Sequence, residues 1–498
     1  MTEHRAPGRP DERKGDDPTA DPRAGARDPS PEPGQDPRRW KALSVALTAG
    51  FMTLLDVSIV NVALPSIRSA LDASAAQLQW VVSGYALTFG LVLVASGRLG
   101  DARGRRAMFG VGIGVFTVAS VVAGLAPAAG WLVAARLVQG VGGGILNPQI
   151  SGLVQQLFRG AERGRAFGRL GTTIGISTAV GPVLGGVILS VAGTQEGWRW
   201  VFLVNLPVGL LTFLLARHFI DPVEEPEPAR DLDPVGAVLL GAGVVGLLWP
   251  LVSDSWQGVD AVLLTAGVLA IAGFWWWERR MARRGRAPMV RLSLFSQPGY
   301  AAGALLGLVY FSGFTGIFFV LTLFFQNGLG YTPLQAGLGL TPFAVGSAAT
   351  ATIGGRLVGR HGRRVVVGGL ILVSAGLVLT ELAIRARHGT STGWWLAAPL
   401  LLAGLGSGFV ISPNVTLTLE NVPVGQAGTA GGVLQTGQRL GTAAGIALVG
   451  ALYFRGLAAT GDAALAASHG LRAALASSAV ALVIGIVDLA RRARRGSV

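Results

Sequence analysis

The sequence predicts an all-α integral membrane protein: two six-helix bundles with two further transmembrane helices inserted between them, fourteen in all. Three observations carry this. Of the 498 residues, 51% are hydrophobic and only 14% are charged, whereas a soluble surface of that size needs about a quarter charged. Fourteen apolar stretches are of spanning length, about 20 residues each. Short motifs in the first half of the chain recur in the same order in the second.

Residues 1–40 read as a disordered cytoplasmic tail, because Pro, Gly, Asp and Arg leave residues 1–37 no apolar period. They are not a signal peptide, which would show a short apolar run and a small-residue cleavage site. Residues 41–220 form the first bundle, with spans at 42–67, 80–98, 107–127, 131–155, 166–192 and 200–219. Residues 221–298 link the halves and hold the inserted spans, 234–253 and 259–277. Residues 299–490 form the second bundle, with spans at 299–325, 333–357, 365–384, 394–418, 427–453 and 472–490, and 491–498 is a basic tail. Each stretch is helical because a chain in hydrocarbon must satisfy its backbone polar groups internally.

Orientation follows from arginine. With the N-terminus in the cytoplasm, inner flanks and loops carry 27 Lys or Arg and outer loops carry six. That bias places both termini in the cytoplasm. It also accounts for the net charge of +14 without nucleic acid, since no basic face with groove-reading elements is present.

Several chemistries are excluded. No cysteine occurs, and the five histidines are scattered, so no thiolate chemistry and no metal cage is legible. Neither lysine, Lys14 or Lys41, sits in a phosphate-binding glycine loop. No cofactor and no metal is expected. The expected partners are a small-molecule substrate, protons and the lipid bilayer, and the chain reads as a monomer.

The repeat is specific. Gly97 to Arg106 reads GRLGDARGRR, Gly355 to Arg364 reads GRLVGRHGRR, and six of the ten positions agree at an offset of 258. Gln77 and Gln335 agree at the same offset. Gly140, Gly142 and Gly144 recur as Gly404, Gly406 and Gly408, and Arg169–Thr172 with Gly175 recurs as Arg439–Thr442 with Gly445. Spans 7 and 8 have no counterpart.

Within this frame a few residues stand out. Asp56 is the one acid well inside a span, and a carboxylate at that depth costs about 2.5–3.5 kcal/mol on insertion scales. Such a residue either binds a proton or cationic substrate or pairs with a neighbouring helix. Arg136 lies roughly 7 Å below the outer end of span 4, and Asp56 roughly 22 Å above the inner end of span 1, at similar depth. Arg136 either faces Asp56 or snorkels to the interface. In the loop after span 2, Gly97 and Gly104 permit close approach, while Asp101, Arg103, Arg105 and Arg106 read as a conformational latch or a solvated basic loop. Gly171, Gly175, Gly181, Pro182, Gly185 and Gly186 on span 5 let another helix pack closely, with Pro182 a kink. Candidate pocket residues are Asn61, Gln139, Asn147, Gln149, Phe311, Phe314, Asn414 and Gln435, with Gln438 and Phe318 beside them. Trp198, Trp200 and Trp275–Trp277 fit an interfacial belt.

Together the LDVSIVNVALP stretch from Leu55 to Pro65, the GRLGDARGRR loop, Arg136 with Gln139–Gly140, and Gly181–Gly186 resemble the major facilitator superfamily. The inserted pair and the WRWVFLVNLP stretch from Trp198 to Pro207 make the chain similar to its fourteen-span drug:proton antiporters. The resemblance implies two bundles around a central cavity, a proton-relay role for Arg136, and the antiporter signature at Gly181–Gly186, with Ser177 where the pattern has its first glycine. The resulting expectation is a bacterial cytoplasmic-membrane exporter of small amphipathic compounds, driven by protons through alternating access. An importer on the same scaffold is the nearest rival. A membrane enzyme would need a cluster of catalytic side chains at membrane level, which the sequence does not supply.

Overall fold

The structure, a computed structural model, describes residues 38–158, 160–193, 195–221, 233–252, 258–286, 288–290, 292–297, 299–386, 389–422 and 427–495. The tail at residues 1–37 lies outside them. The described chain is helical throughout its spans. The first half comprises α1 (Arg38–Leu71), α2 (Ala75–Arg103), α3 (Arg105–Gly124), α4 (Ala129–Leu157), α5 (Gly160–Ala192), α6 (Gly197–Leu203) and α7 (Asn205–Phe219). The inserted pair is α8 (Pro234–Val252) and α9 (Gly258–Arg283). The second half comprises α10 (Tyr300–Leu323), α11 (Pro333–His361), α12 (Arg363–Ala386), α13 (Thr392–Leu419), α14 (Ala427–Thr460) and α15 (Ala463–Arg495). Among the described residues thirteen helical stretches are long and apolar enough to cross a membrane. Helix α5, 33 residues long, is the remaining span.

Two boundaries differ instructively from the hydropathy reading. The sixth span is broken: α6 ends at Leu203 and α7 begins at Asn205. Pro207 has no N–H to give the Leu203 carbonyl, which removes one helical hydrogen bond at the break. The last span begins at Ala463 rather than near residue 472. Its start is fixed by a cap, not by hydropathy: Asp462 Oδ1 accepts from the N–H of Ala464 and Leu465 at 2.7 and 3.2 Å.

The repeated Gln77 and Gln335 have a local cause. Each closes a capping box, with Ser74 at the start of α2 and Thr332 at the start of α11. The glycine ladders have a packing cause. A Cβ on Gly140 would lie 2.4 Å from the Tyr85 carbonyl oxygen, and one on Gly142 would lie 2.5 Å from Phe116 N. In the second half, Cβ atoms on Gly404 and Gly406 would lie 2.1 Å from the Phe343 oxygen and 2.5 Å from the Gly369 oxygen. Helix α4 is thereby pressed onto α2 and α3 as α13 is onto α11 and α12.

The same pairings recur across the halves. In the first, α1 packs on α5 and α7, and α3 on α7; in the second, α10 packs on α14 and α15, and α12 on α15. The halves meet along α2–α14 and along α5–α11, which are equivalent under the repeat. The inserted α8 and α9 pack on each other, and α8 leans on both α2 and α14.

Candidate functional site

The first half encloses a cluster of buried polar side chains around one ion pair. Asp56 on α1 and Arg136 on α4 are both 0% exposed and form an ion pair through Asp56 Oδ2 and Arg136 Nη1. Asp56 Oδ1 accepts from Gln139 Nε2 at 2.8 Å and from Asn205 Nδ2 at 3.0 Å. Gln139 Nε2 also reaches Ser120 Oγ at 2.7 Å, and Gln139 Oε1 accepts from Arg136 Nη1 at 2.6 Å. Arg136 Nε donates to the Val81 carbonyl at 2.9 Å. The guanidinium lies over the Tyr85 ring, 4.2 Å from its centroid, and Tyr85 donates its own O–H to the Thr53 carbonyl at 3.2 Å.

Local sequence explains this convergence. Arg136 and Gln139 are one turn apart on α4, so they share a face. Asn205 is the first residue after the break between α6 and α7, where the chain turns into the bundle. Arg136 does not snorkel; its charge is spent inside the bundle. The arrangement can hold one carboxylate with three donors on two oxygens, and it can change charge only by moving a proton.

The glycines of α5 have two faces. A Cβ on Gly181 would lie 1.9 Å from Ser58 Oγ, and one on Gly185 would lie 3.0 Å from Ile59 Cγ1, so this face sits on α1 beside Asp56. Ser58 Oγ donates to the Ser177 carbonyl at 3.2 Å. The other face meets the second half. A Cβ on Gly186 would lie 2.5 Å from Leu334 Cα, and one on Gly337 would lie 2.3 Å from the Pro182 oxygen. Pro182 lies within α5. Gly171 and Gly175 also lie on α5, but their surroundings fall outside the described residues.

The loop after span 2 is a two-helix corner. Gly104, at φ +89°, ends α2 and starts α3, and Gly362, at φ +53°, does the same between α11 and α12. Arg98 donates to the Pro288 carbonyl in the linker, and Arg106 Nη2 donates to the Arg217 carbonyl at 2.6 Å, near the end of α7. A Cβ on Gly152 of α4 would collide with the Arg105 guanidinium. Gly97 packs near Pro148 of α4, and Arg103 is exposed. Asp101 lies on α2, with its side chain outside the described residues.

The expected pocket residues separate. Gln139 belongs to the Asp56 cluster. Gln149 is buried between α4 and α2, donating to the Ser96 carbonyl at 2.9 Å. Asn61 donates to the Val57 carbonyl of its own helix at 3.2 Å. Asn414 accepts from Arg363 Nη1 at 2.6 Å, while Arg363 Nε pairs with Asp488 at 2.7 Å. This second buried ion pair belongs to the second copy of the loop motif, Gly355 to Arg364. Asn147, Gln435 and Gln438 are half-buried. Phe311 and Phe314 are half-buried, Phe318 is buried, and with Phe343 they form a contiguous aromatic wall with centroids 5.1–5.8 Å apart. Trp198 is not interfacial: it is fully buried against Phe202, whereas Trp200 is 57% exposed.

Sequence reasoning missed Asn205 as a partner of Asp56, Ser120 as the acceptor for Gln139 and Asn205, and Tyr85 as the ring beneath Arg136. The signal for Asn205 was a lone amide beside a proline within an apolar run. Ser120 and Tyr85 gave none.

A family model described as the Major Facilitator Superfamily matches residues 46–446 and again 303–496. A probable actinorhodin transporter of Streptomyces coelicolor is 38% identical over 421 residues, covering 84% of this chain and 73% of that protein. The puromycin resistance protein of Streptomyces alboniger is 34% identical over 429 residues, covering 84% and 82%. In fold, the xylose transporter XylE of E. coli in a partially occluded inward-open conformation superposes with a TM-score of 0.60 over 89% of this chain and 98% of that one, at 15% identity. The paired six-helix halves, the buried charges and these relatives lead to one conclusion: the chain belongs to the Major Facilitator Superfamily, as a multi-pass membrane transporter.

Proposed function

We propose that this transporter exports small amphipathic compounds, antibiotics among them, from the bacterial cytoplasm in exchange for protons. Both termini lie on the cytoplasmic side, and the two bundles rock about a central cavity. The observation that carries the coupling is the sealed Asp56 cluster. Its carboxylate is fully buried and accepts from Arg136, Gln139 and Asn205, so a proton is the cation small enough to join it. Loading a proton releases Arg136 from Asp56, which is a change of charge and packing between α1 and α4. The close contacts of Gly181 and Gly185 carry that change to α5, and Gly186 and Pro182 carry it to α11 in the other half. The loop arginines Arg105 and Arg106, with Asp101, act as the latch between cycles.

The direction of transport is supported by relatives that carry or resist antibiotics. The driving force is adequate: one inward proton yields about 2.3 kcal/mol per 100 mV, against about 1.4 kcal/mol for each tenfold outward gradient of a neutral compound. Everted membrane vesicles test the reading. On energisation they should accumulate a fluorescent drug and release lumenal protons as it enters. Accumulation in right-side-out vesicles instead would make the protein an importer.

A further inference from the structure

Arg136, deep in α4, has a carboxylate partner in Asp56, and Arg363, at the start of α12, has one in Asp488. Arg439 on α14 has none among the described residues. Its recorded contact is with an aromatic ring, the guanidinium lying 4.2 Å from the centroid of Phe89 on α2. A ring face offsets only part of the cost of a guanidinium at that depth. Arg439 is twelve residues past Ala427 and twenty-one before Thr460, so it sits roughly 18 Å along the helix, too deep for a lipid headgroup phosphate.

Its surroundings are short of acceptors that could neutralise it. The Asp56–Arg136 pair behind Tyr85 is already neutral, so Arg439 leaves this region with one unbalanced positive charge. Thr436 spends its hydroxyl proton on the Gly90 carbonyl at 3.0 Å, stapling α14 to α2 beside the arginine. Arg439 is only half-buried. Gln435, one turn earlier on the same face, is also half-buried and makes no recorded hydrogen bond. The fold does not require this charge: the repeat-related Arg169 on α5 is exposed and stacks on Trp40 at 4.1 Å.

The geometry points to an anion-binding subsite between the halves, with Arg439, its guanidinium backed by the buried Phe89 ring, and Gln435 holding the carboxylate of an amphipathic organic acid. The inference rests on the exporter reading and narrows its substrates to organic anions. A guanidinium takes a carboxylate through two parallel hydrogen bonds, which ammonium cannot do.

The test uses the purified full chain in detergent and three probes sharing one fluorescent ring system: anthracene-carboxylate, its carboxamide and anthracenylmethylamine. Wild type should bind the carboxylate most tightly. Arg439→Gln should weaken the carboxylate about tenfold or more and change the amide by less than about twofold. Gln435→Leu should weaken the carboxylate selectively but less. Arg439→Lys keeps the charge and loses the fork; it should give an intermediate loss, and it serves in place of the glutamine variant if that one elutes as aggregate. Equal affinity of wild type for carboxylate and amide, or a variant effect shared by all three probes, overturns the subsite. The exporter reading is judged separately: if wild-type cells export no compound from an antibiotic panel while carboxylate binding responds as described, that reading fails and the subsite stands.

Discussion

Asp56 and Arg136 illustrate what a buried ion pair demands of its neighbours. Both charges are out of water; Gln139 and Asn205 donate to Asp56, Gln139 and the Val81 carbonyl accept from Arg136, and Ser120 anchors the two amides. Removing one partner strands the other, at a typical cost of about 3–5 kcal/mol. Arg136→Ala should therefore lower thermal stability clearly, read by melting of the purified protein. Asp56→Asn is milder, since the amide keeps an acceptor for Gln139. It should fold while losing proton-driven efflux by about a hundredfold or more, the range typical of a lost proton-transfer group. Wild-type efflux and proton release by Asp56→Asn would make the carboxylate structural and move attention to Asp488. Asn205→Ala should retain folding yet weaken coupling, because it removes a donor from Asp56 Oδ1; unchanged drug-dependent proton release in vesicles would count against it.

At the scale of elements, two devices recur: small residues where helices touch and caps where they begin. Gly140→Leu or Gly404→Leu would drive a side chain into a neighbouring helix backbone, and overpacking of that kind costs about 1–3 kcal/mol or more. Each should cut the yield of folded protein, measured by fluorescence-detected size exclusion. A third device holds the inserted pair. Asp233, at the start of α8, accepts from Gly236 N at 2.9 Å, from Trp277 Nε1 of α9 at 2.7 Å and from Met289 N of the linker at 3.2 Å. Burial pushes its carboxyl up, but these hydrogen bonds outweigh burial and hold it below the usual range. A carboxyl with a depressed folded pKa stabilises fully above its unfolded value, near 3.9, and loses that contribution as pH falls through the folded one. The clamp is therefore engaged at neutral pH and released in strong acid. Asp233→Asn should make the linker near Pro288 more susceptible to limited proteolysis at pH 7, and wild type should match it only in acid. Equal cleavage of the two at pH 7 would show that the clamp does not hold the linker.

For the whole molecule, the repeat makes each helix–helix contact in one half a forecast of a contact in the other. Only the inserted pair breaks the scheme, and it leans on the α2–α14 seam. With no native cysteine, single-cysteine labelling reports topology cleanly. A cysteine at Gly461, between α14 and α15, should react with an impermeant maleimide from outside intact cells, and one at Gly285, after α9, should not. The reverse pattern would invert the orientation that the arginine bias implies.

The amino-acid sequence by itself determined the membrane class, the span count and the repeat, and it singled out Asp56 and Arg136, which the structure pairs. Each depends on a penalty that acts locally. Apolar stretches of spanning length, charges at hydrocarbon depth and arginines on one side of the membrane are costly or favourable wherever the chain folds, so they can be read along the chain. Tertiary structure alone decided that Asn205 and Ser120 complete the Asp56 cluster, that Arg363 is buried on Asp488, that Gln149 and Asn414 are interior ties and not pocket walls, and that Trp198 is sealed in the core. These are neutral polar groups and flanking residues whose cost is set by their partners. The partners lie 85 residues away for Asn205 and Ser120, and 125 for Arg363 and Asp488, distances over which only the packing of helices determines what meets.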